Sequence, residues 1–154
     1  MADDLDAVAQ LSFAVQGLLG GIAAEHDLSV TQLRLLAILR DREPAMLDLA
    51  RHLGLGKSSV TGLVDRAAAR GLVERVTAPS DGRGVHVRLT AEGHRLAERI
   101  AAQAYDALSD LLGVLSARER ARLGVLADRV VREHASFDQT AVRPPSVARI
   151  APVT

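Results

Sequence analysis

The segment from Leu49 to Leu63 meets several requirements of two tightly crossing helices at once. Such a pair needs a small residue on the first helix, a glycine that can adopt a positive φ in the turn, and apolar residues where the helices touch. Ala50, Gly54 and Val60 meet these requirements. The other contact positions are also apolar: Leu49, Leu53, Leu55 and Leu63. The segment predicts a helix-turn-helix, with an ordinary helical hairpin that has no DNA role as the alternative.

The chain around this segment has the hydrophobic period of α-helices. Residues 5–25 place apolar side chains three and four apart, which predicts an amphipathic helix. Ser29 and Gln32 have the spacing of a capping box, so a helix is expected to begin there. Residues 47–53 and 57–70 form the two helices of the helix-turn-helix in this interpretation.

The hydrophobic period changes to 2 after Gly71. Residues 72–76 and 85–89 indicate two strands, and the loop between them, residues 77–84, contains one proline and two glycines. A long helical pattern then covers residues 91–115. Together these elements predict a mainly α fold with a small β-hairpin (α+β).

The C-terminal part has one more helix and then loses its periodicity. Ser116 and Glu119 form a second capping box ahead of an apolar pattern that reaches Val131. Residues 138–154 contain two adjacent prolines and no periodic pattern, so they are expected to be a disordered tail.

The composition excludes several classes of function. A chain without cysteine has no disulfide framework, no thiolate zinc site and no thiol redox sensor. The uninterrupted apolar runs are short and the N-terminus is acidic, so a soluble, cytoplasmic chain with no membrane segment is expected. Because only three residues are aromatic, the core must be built from Leu, Ala and Val. The single phenol, Tyr105, is expected to be buried in packing.

The charge is balanced overall but unevenly distributed. The chain has 19 basic and 19 acidic residues. Residues 1–33 hold five acidic residues and no basic one, whereas residues 51–95 hold eight basic and four acidic residues, a net charge of +4. A neutral total therefore does not argue against a polyanionic partner for the central segment.

The outer face of helix 57–70 has the residue types that a recognition helix needs. Such a helix enters the major groove by its N-terminal part, where small polar or basic side chains allow close approach. Arg51, on the preceding helix, is placed to reach a phosphate. The candidate DNA-binding residues on helix 57–70 are Lys57, Ser58, Ser59, Thr61 and Arg66. The alternatives are first-turn capping for the two serines and a solvated face for the arginine.

The hairpin loop offers a further cation. Arg83 lies between two glycines, where a guanidinium can enter a narrow minor groove. Asp81 would repel phosphate unless it pairs with and orients an arginine such as Arg83 or Arg75. A flexible hairpin with a solubilising charge is the alternative, and the order helix-turn-helix, hairpin, long helix favours a wing.

These motifs together resemble the MarR (multiple antibiotic resistance regulator) family of winged-helix transcription factors over about residues 5–135. The densest matches are Lys57-Ser58-Ser59-Val60-Thr61, Leu63-Val64-Asp65-Arg66, Gly71-Leu72-Val73-Glu74-Arg75, Asp81-Gly82-Arg83 and Leu89-Thr90 before Glu92-Gly93. The resemblance implies a single unit over residues 1–137. In it, residues 29–90 form a winged helix-turn-helix lobe, and residues 5–26 and 91–137 form a helical dimerisation part.

The resemblance also implies a function and a set of roles. It implies a homodimer that binds a pseudo-palindromic operator in double-stranded DNA, most often as a repressor. By resemblance, Ser58, Ser59, Thr61 and Arg66 face the major groove, and Arg83, held by Asp81, faces the minor groove. Gly62 and Gly82 stand where relatives often have longer or basic side chains, which reduces the number of potential contacts.

Other classes of function fit the sequence less well. Gly56-Lys57-Ser58 resembles the end of a phosphate-binding loop, but that loop needs a glycine where Arg51 stands. With no nucleophile elbow and no paired histidines, an enzyme is not expected and no cofactor is implied. A protein–protein adaptor on the same scaffold, or a metal-responsive regulator using His26, stays open.

The switching signal is also left open by the sequence. Many relatives bind small aromatic acids or drugs in a cleft between the dimerisation part and the winged lobe. The missing cysteines remove thiol peroxide sensing, so a small organic effector or constitutive binding remains.

Overall fold

The computed structural model describes residues 2–77 and 84–137, with six α-helices and one β-hairpin in these ranges. The elements are α1 (Ala2–Glu25), α2 (Val30–Leu39), α3 (Met46–Leu53), α4 (Lys57–Ala69), β1 (Val73–Thr77), β2 (Val85–Leu89), α5 (Ala91–Leu111), a 3-10 turn (Leu112–Val114) and α6 (Ala117–Phe137). The prediction of a mainly α fold with one hairpin is confirmed. The expected tail, residues 138–154, lies outside the described residues.

Side-chain caps set three of the helix starts. The Ser29 hydroxyl accepts the Gln32 backbone N–H, and the Gln32 side chain accepts the Ser29 N–H at 2.8 Å, so the predicted capping box is confirmed. Ser116 and Glu119 form the second predicted box in the same way. The Glu119 carboxylate accepts the Ser116 backbone N–H, and this hydrogen bond holds the pKa of Glu119 below its usual range. Thr90 caps α5 by accepting the Gly93 N–H.

Several boundaries differ from the sequence prediction by a few residues, and two of these differences have a clear local cause. The helix predicted over residues 91–115 ends at Leu111, and Leu112–Val114 forms a 3-10 turn. Gly113 lies in that turn, and glycine disfavours a helix interior. The first strand begins at Val73 rather than Leu72, because the Leu72 N–H bonds the Ala67 carbonyl and so closes the end of α4.

The core joins α2, α3, α4 and the hairpin to the first half of α5. Its fully buried large side chains are Leu35, Leu36, Ile38, Leu39, Leu49, Val60, Val64 and Val87. The described core contains no aromatic side chain, as predicted. Tyr105 is 53% exposed in the protomer, so its predicted buried role is wrong here, because α5 turns Ala104 toward the core and leaves the next residue on its exposed side.

Helices α1 and α6 leave apolar side chains uncovered. Phe13 is 65% exposed on α1, and Val125 and Val130 are each 68% exposed on α6. The most apolar 18-residue window within Asp3–Glu25 has a mean hydropathy of 1.5, and the helix is long enough to cross a membrane, yet only 11% of that window is buried in the protomer. The prediction of no membrane segment rests on uninterrupted apolar runs, and Gln10, Ser12 and Gln16 interrupt this window. A helix that packs on another protein chain has the same composition.

Candidate nucleic-acid interface

The turn between α3 and α4 has the geometry that the sequence predicted. Gly54 adopts φ 65° and ψ 32°, a left-handed conformation that glycine accepts without steric cost. The Leu55 N–H bonds the Ala50 carbonyl at 3.0 Å, so the chain leaves α3 in a tight turn. Ala50 and Val60 are both buried where the two helices meet. The turn therefore fixes the direction in which α4 emerges.

One face of α4 is buried and the opposite face is exposed. Val60, Leu63, Val64 and Ala67 form the buried face. The exposed residues are Asp65, Ala69 and the five predicted DNA-binding residues Lys57, Ser58, Ser59, Thr61 and Arg66. Gly56 is the N-cap and no side chain caps this helix, so the alternative capping role for the serines is not realised.

The polar groups of this face are available for other partners. Within the described residues, the side chains of Ser58, Ser59 and Arg66 make no hydrogen bond or ion pair. The Thr61 hydroxyl donates to the Lys57 carbonyl at 2.8 Å, which leaves its oxygen free to accept. Side chains of this kind can contact base edges and phosphates.

Arg66 lies back over Gly62. A Cβ added to Gly62 would be 3.2 Å from the Arg66 Nη1, so the guanidinium occupies space that another residue at position 62 would fill. From the sequence alone, Gly62 only reduces the number of potential DNA contacts. In the structure it makes room for the arginine to lie along the exposed face.

A shallow depression of about 370 Å³ runs along this face. It is lined by Ser29, Thr31, Leu55, Ser58, Ser59, Gly62, Leu63 and Arg66. Ser29 and Thr31 belong to the start of α2 and were not among the predicted site residues. The capping box located that helix start, but only the packing of α2 near α4 shows that it borders the same surface.

The remaining predicted site residues are more dispersed. Arg51 is half-exposed and lies 3.5 Å from Asp48 on its own helix. The Arg75 guanidinium donates to the Asp65 carboxylate at 2.5 Å, which connects β1 to α4. Arg75 is thus already paired with an acid that the sequence did not assign to it. The predicted residues Asp81 and Arg83 lie outside the described residues.

The base of the hairpin is fixed by the α2–α3 connection. The Val87 N–H bonds the Pro44 carbonyl at 3.0 Å, and the His86 ring nitrogen donates to the Glu43 carbonyl at 2.9 Å.

On α3, partial burial and the nearby Arg42 guanidinium lower the pKa of His52, against the opposing effect of Asp48. The described ranges contain no group of three or more potential metal ligands.

Comparison with known proteins gives a consistent result. A family model described as "MarR family" matches residues 26–84. The homoprotocatechuate degradative operon repressor of Escherichia coli is 30% identical over 112 residues, which cover 71% of this chain and 75% of the repressor. The chain belongs to the MarR family.

Two solved structures are similar to this MarR-family chain over about four fifths of its length. The apo form of wild-type MarR from E. coli has a TM-score of 0.69 at 26% identity, covering 82% of this chain and 95% of that one. NadR in complex with 4-hydroxyphenylacetate has a TM-score of 0.68 at 26% identity, covering 80% of this chain and 89% of that one. The matched residues of the MarR family model contain α3, the turn and α4, where the candidate interface lies.

Proposed function

We propose that this chain is a homodimeric transcriptional repressor that binds a pseudo-palindromic operator through α4 and the hairpin loop. The exposed face of α4 carries this proposal, because its two serines and two cations have no competing partners among the described residues and the Thr61 oxygen can still accept a hydrogen bond. A surface of this kind allows a helix to approach the floor of the major groove. The proposed contacts are Arg51, Lys57, Ser58, Ser59, Thr61 and Arg66 with Arg75, Asp81 and Arg83 at the hairpin.

The dimer is supported by the uncovered helices. Exposed Phe13 on α1 and Val125 on α6 would be unfavourable in a free protomer. The charges of the two helices are complementary, since α1 has four acidic residues and no basic one, whereas α6 has five arginines and three acidic residues. We therefore assign residues 5–26 and 91–137 to dimerisation and residues 29–90 to DNA binding. Two copies place two recognition helices for two half-sites.

A small organic effector is part of the proposal. The structure of the relative NadR contains 4-hydroxyphenylacetate, and the E. coli relative is named for an operon that degrades homoprotocatechuate. An effector would act by binding best to a dimer whose lobe spacing does not match the operator. As a DNA-binding regulator without a catalytic role, the protein would act in the cytoplasm.

The salt dependence of DNA binding tests the proposed interface. Fluorescence anisotropy with a labelled 30-base-pair duplex of mixed sequence would measure affinity across a salt series. The logarithm of affinity should fall linearly with the logarithm of salt concentration, and Lys57→Ala should reduce the slope by about 1. Arg99→Ala is the matched control, because Arg99 is an exposed arginine on α5 outside the proposed DNA contacts, and sedimentation of this variant checks that it still dimerises.

The same experiment separates this function from a protein–protein adaptor. An adaptor predicts no DNA affinity at low salt, and this result would contradict the proposal. Equal slopes for Lys57→Ala and Arg99→Ala would show that α4 is not the contact surface. Sedimentation should give twice the 16.3 kDa chain mass, and a monomer would contradict the dimer.

A further inference from the structure

The turn between α1 and α2 is a compact structure with two outward carbonyls. The His26 N–H and the Leu28 N–H both bond the Ala23 carbonyl, at 3.1 and 2.9 Å. Asp27 adopts φ 55°, a left-handed conformation that aspartate accepts more readily than most residues. The turn follows the C-terminus of α1, where the helix dipole favours a cation.

Arg70 supplies that cation from the end of α4. Its Nη1 donates to the Asp27 carbonyl at 3.0 Å, and its Nη2 donates to the His26 carbonyl at 3.1 Å. The planar guanidinium thus holds two consecutive carbonyls with two parallel donors. In the described part of the chain, no other α4 side chain hydrogen-bonds to α1, α5 or the turn between α1 and α2.

The other side of the turn is bonded to the long helix. The His26 Nε2 lies 2.6 Å from the Gln103 Oε1 on α5. Because an amide oxygen only accepts, the imidazole donates this bond. The Gln103 amide nitrogen then donates to the Glu25 carboxylate at 3.0 Å. A continuous set of hydrogen bonds therefore runs from the end of α4, through the turn, to α5.

Arg70 is not needed to complete α4 itself. The Ala67 and Ala68 carbonyls near the end of that helix are already bonded by the backbone N–H groups of Leu72 and Gly71. Arg70 is also exposed and does not belong to the core. Its side chain therefore has a role between elements and not within one.

We propose that Arg70 is a positioning residue that sets the orientation of the helix-turn-helix lobe against α1 and α5. In the dimer, this orientation would fix the separation of the two recognition helices and hence the half-site spacing that the protein accepts. The effect on half-site spacing rests on the function proposed above, whereas the effect on the orientation of the lobe does not. The fork geometry matters, because a lysine at this position keeps the charge and loses the paired donors.

Distance measurement between two spin labels tests the orientation directly. The natural chain has no cysteine, so Leu47→Cys on α3 and Asp110→Cys on α5 would carry the only labels, both at exposed positions. Labelled protein is mixed with an excess of unlabelled chain, so that only distances within one protomer contribute. Arg70→Ala and Arg70→Lys should both broaden the distance distribution, and Arg99→Ala should not. A distribution that matches the unsubstituted protein in either Arg70 variant overturns the proposal.

A second measurement connects the orientation to DNA. Half-sites obtained by selection from random DNA are placed at their natural spacing and at a spacing two base pairs longer. Arg70→Ala should reduce the preference for the natural spacing by about 2- to 30-fold, the range that mutations in coupling networks produce. An unchanged preference contradicts the proposal. If the protein binds neither duplex, the proposed function fails, while the label distances still decide the role of Arg70.

Discussion

Gly93, in the first turn of α5, has no room for a side chain. A Cβ at this position would lie 1.9 Å from the Leu72 carbonyl oxygen and 3.2 Å from a methyl group of Leu89. Real Cβ atoms do not approach below 3.0 Å, so Gly93→Ala would force the start of α5 away from the hairpin by at least the difference of 1.1 Å. The Leu72 oxygen also accepts the Thr90 N–H at 3.0 Å, and this bond joins the hairpin to α5.

The cost of Gly93→Ala can be worked from these contacts. Overpacking strain costs about 1–3 kcal/mol, and loss of the Thr90–Leu72 hydrogen bond costs about 0.5–1.5 kcal/mol. The better helix propensity of alanine offsets about 1 kcal/mol of this. We expect the free energy of unfolding to fall by about 0.5–3.5 kcal/mol. For a chain of this size, the melting temperature should fall by about 2–4 °C for each kcal/mol.

Urea unfolding at one fixed protein concentration measures this change, with Gly62→Ala as the matched control. At Gly62 the nearest atom is the flexible end of Arg66, so the same substitution should stabilise α4 by about 0.5–1 kcal/mol. The two variants should therefore shift the urea midpoint in opposite directions. If Gly93→Ala is as stable as the unsubstituted protein, the close contact between α5 and the hairpin is not real.

Three further perturbations test other parts of the structure. Ala45 is the N-cap of α3 and offers no side-chain hydrogen bond, so Ala45→Ser should raise the free energy of unfolding by about 1 kcal/mol in urea titrations; no gain would argue against this helix start. Burial lowers the pKa of His52 below its ordinary value of 6.5, so the unfolded chain binds more protons there and stability should fall as the pH drops below 6.5. Thermal unfolding across pH should show a shallower fall for His52→Asn, and identical profiles would contradict the burial of this ring. Phe13→Asp should convert the proposed dimer to monomer in sedimentation, because it places a charge on an apolar face of α1; a stable dimer would exclude this face from the interface.

Local sequence signals were sufficient for most elements of the fold. The Ser29–Gln32 and Ser116–Glu119 boxes, the cap Thr90 and the left-handed Gly54 each depend on residues close together in the chain. Such signals predict where elements begin and end, because capping and turn chemistry act over three or four residues. They predicted the exposed face of α4 for the same reason, since helix period alone separates its two sides.

Contacts between distant residues could not be predicted in this way. The pairing of Arg75 with Asp65, the position of Thr31 beside α4 and the bonds from Arg70 to the turn at His26 depend on how elements pack. No spacing rule connects residues that lie 10 to 44 positions apart. The early end of α5 at Leu111 was missed because the apolar pattern continues beyond it while the backbone changes to a 3-10 turn.

Selection of bound duplexes from a pool of random DNA tests the proposed function most directly. A dimer that places one α4 helix in each of two successive major grooves should enrich inverted repeats whose half-site centres lie about 10 base pairs apart. Arg66→Ala should relax the base preference at one symmetric pair of positions, at a cost of about 1–3 kcal/mol for the preferred base. Enrichment of no sequence, or of a single unrepeated half-site, would contradict a dimeric operator-binding repressor.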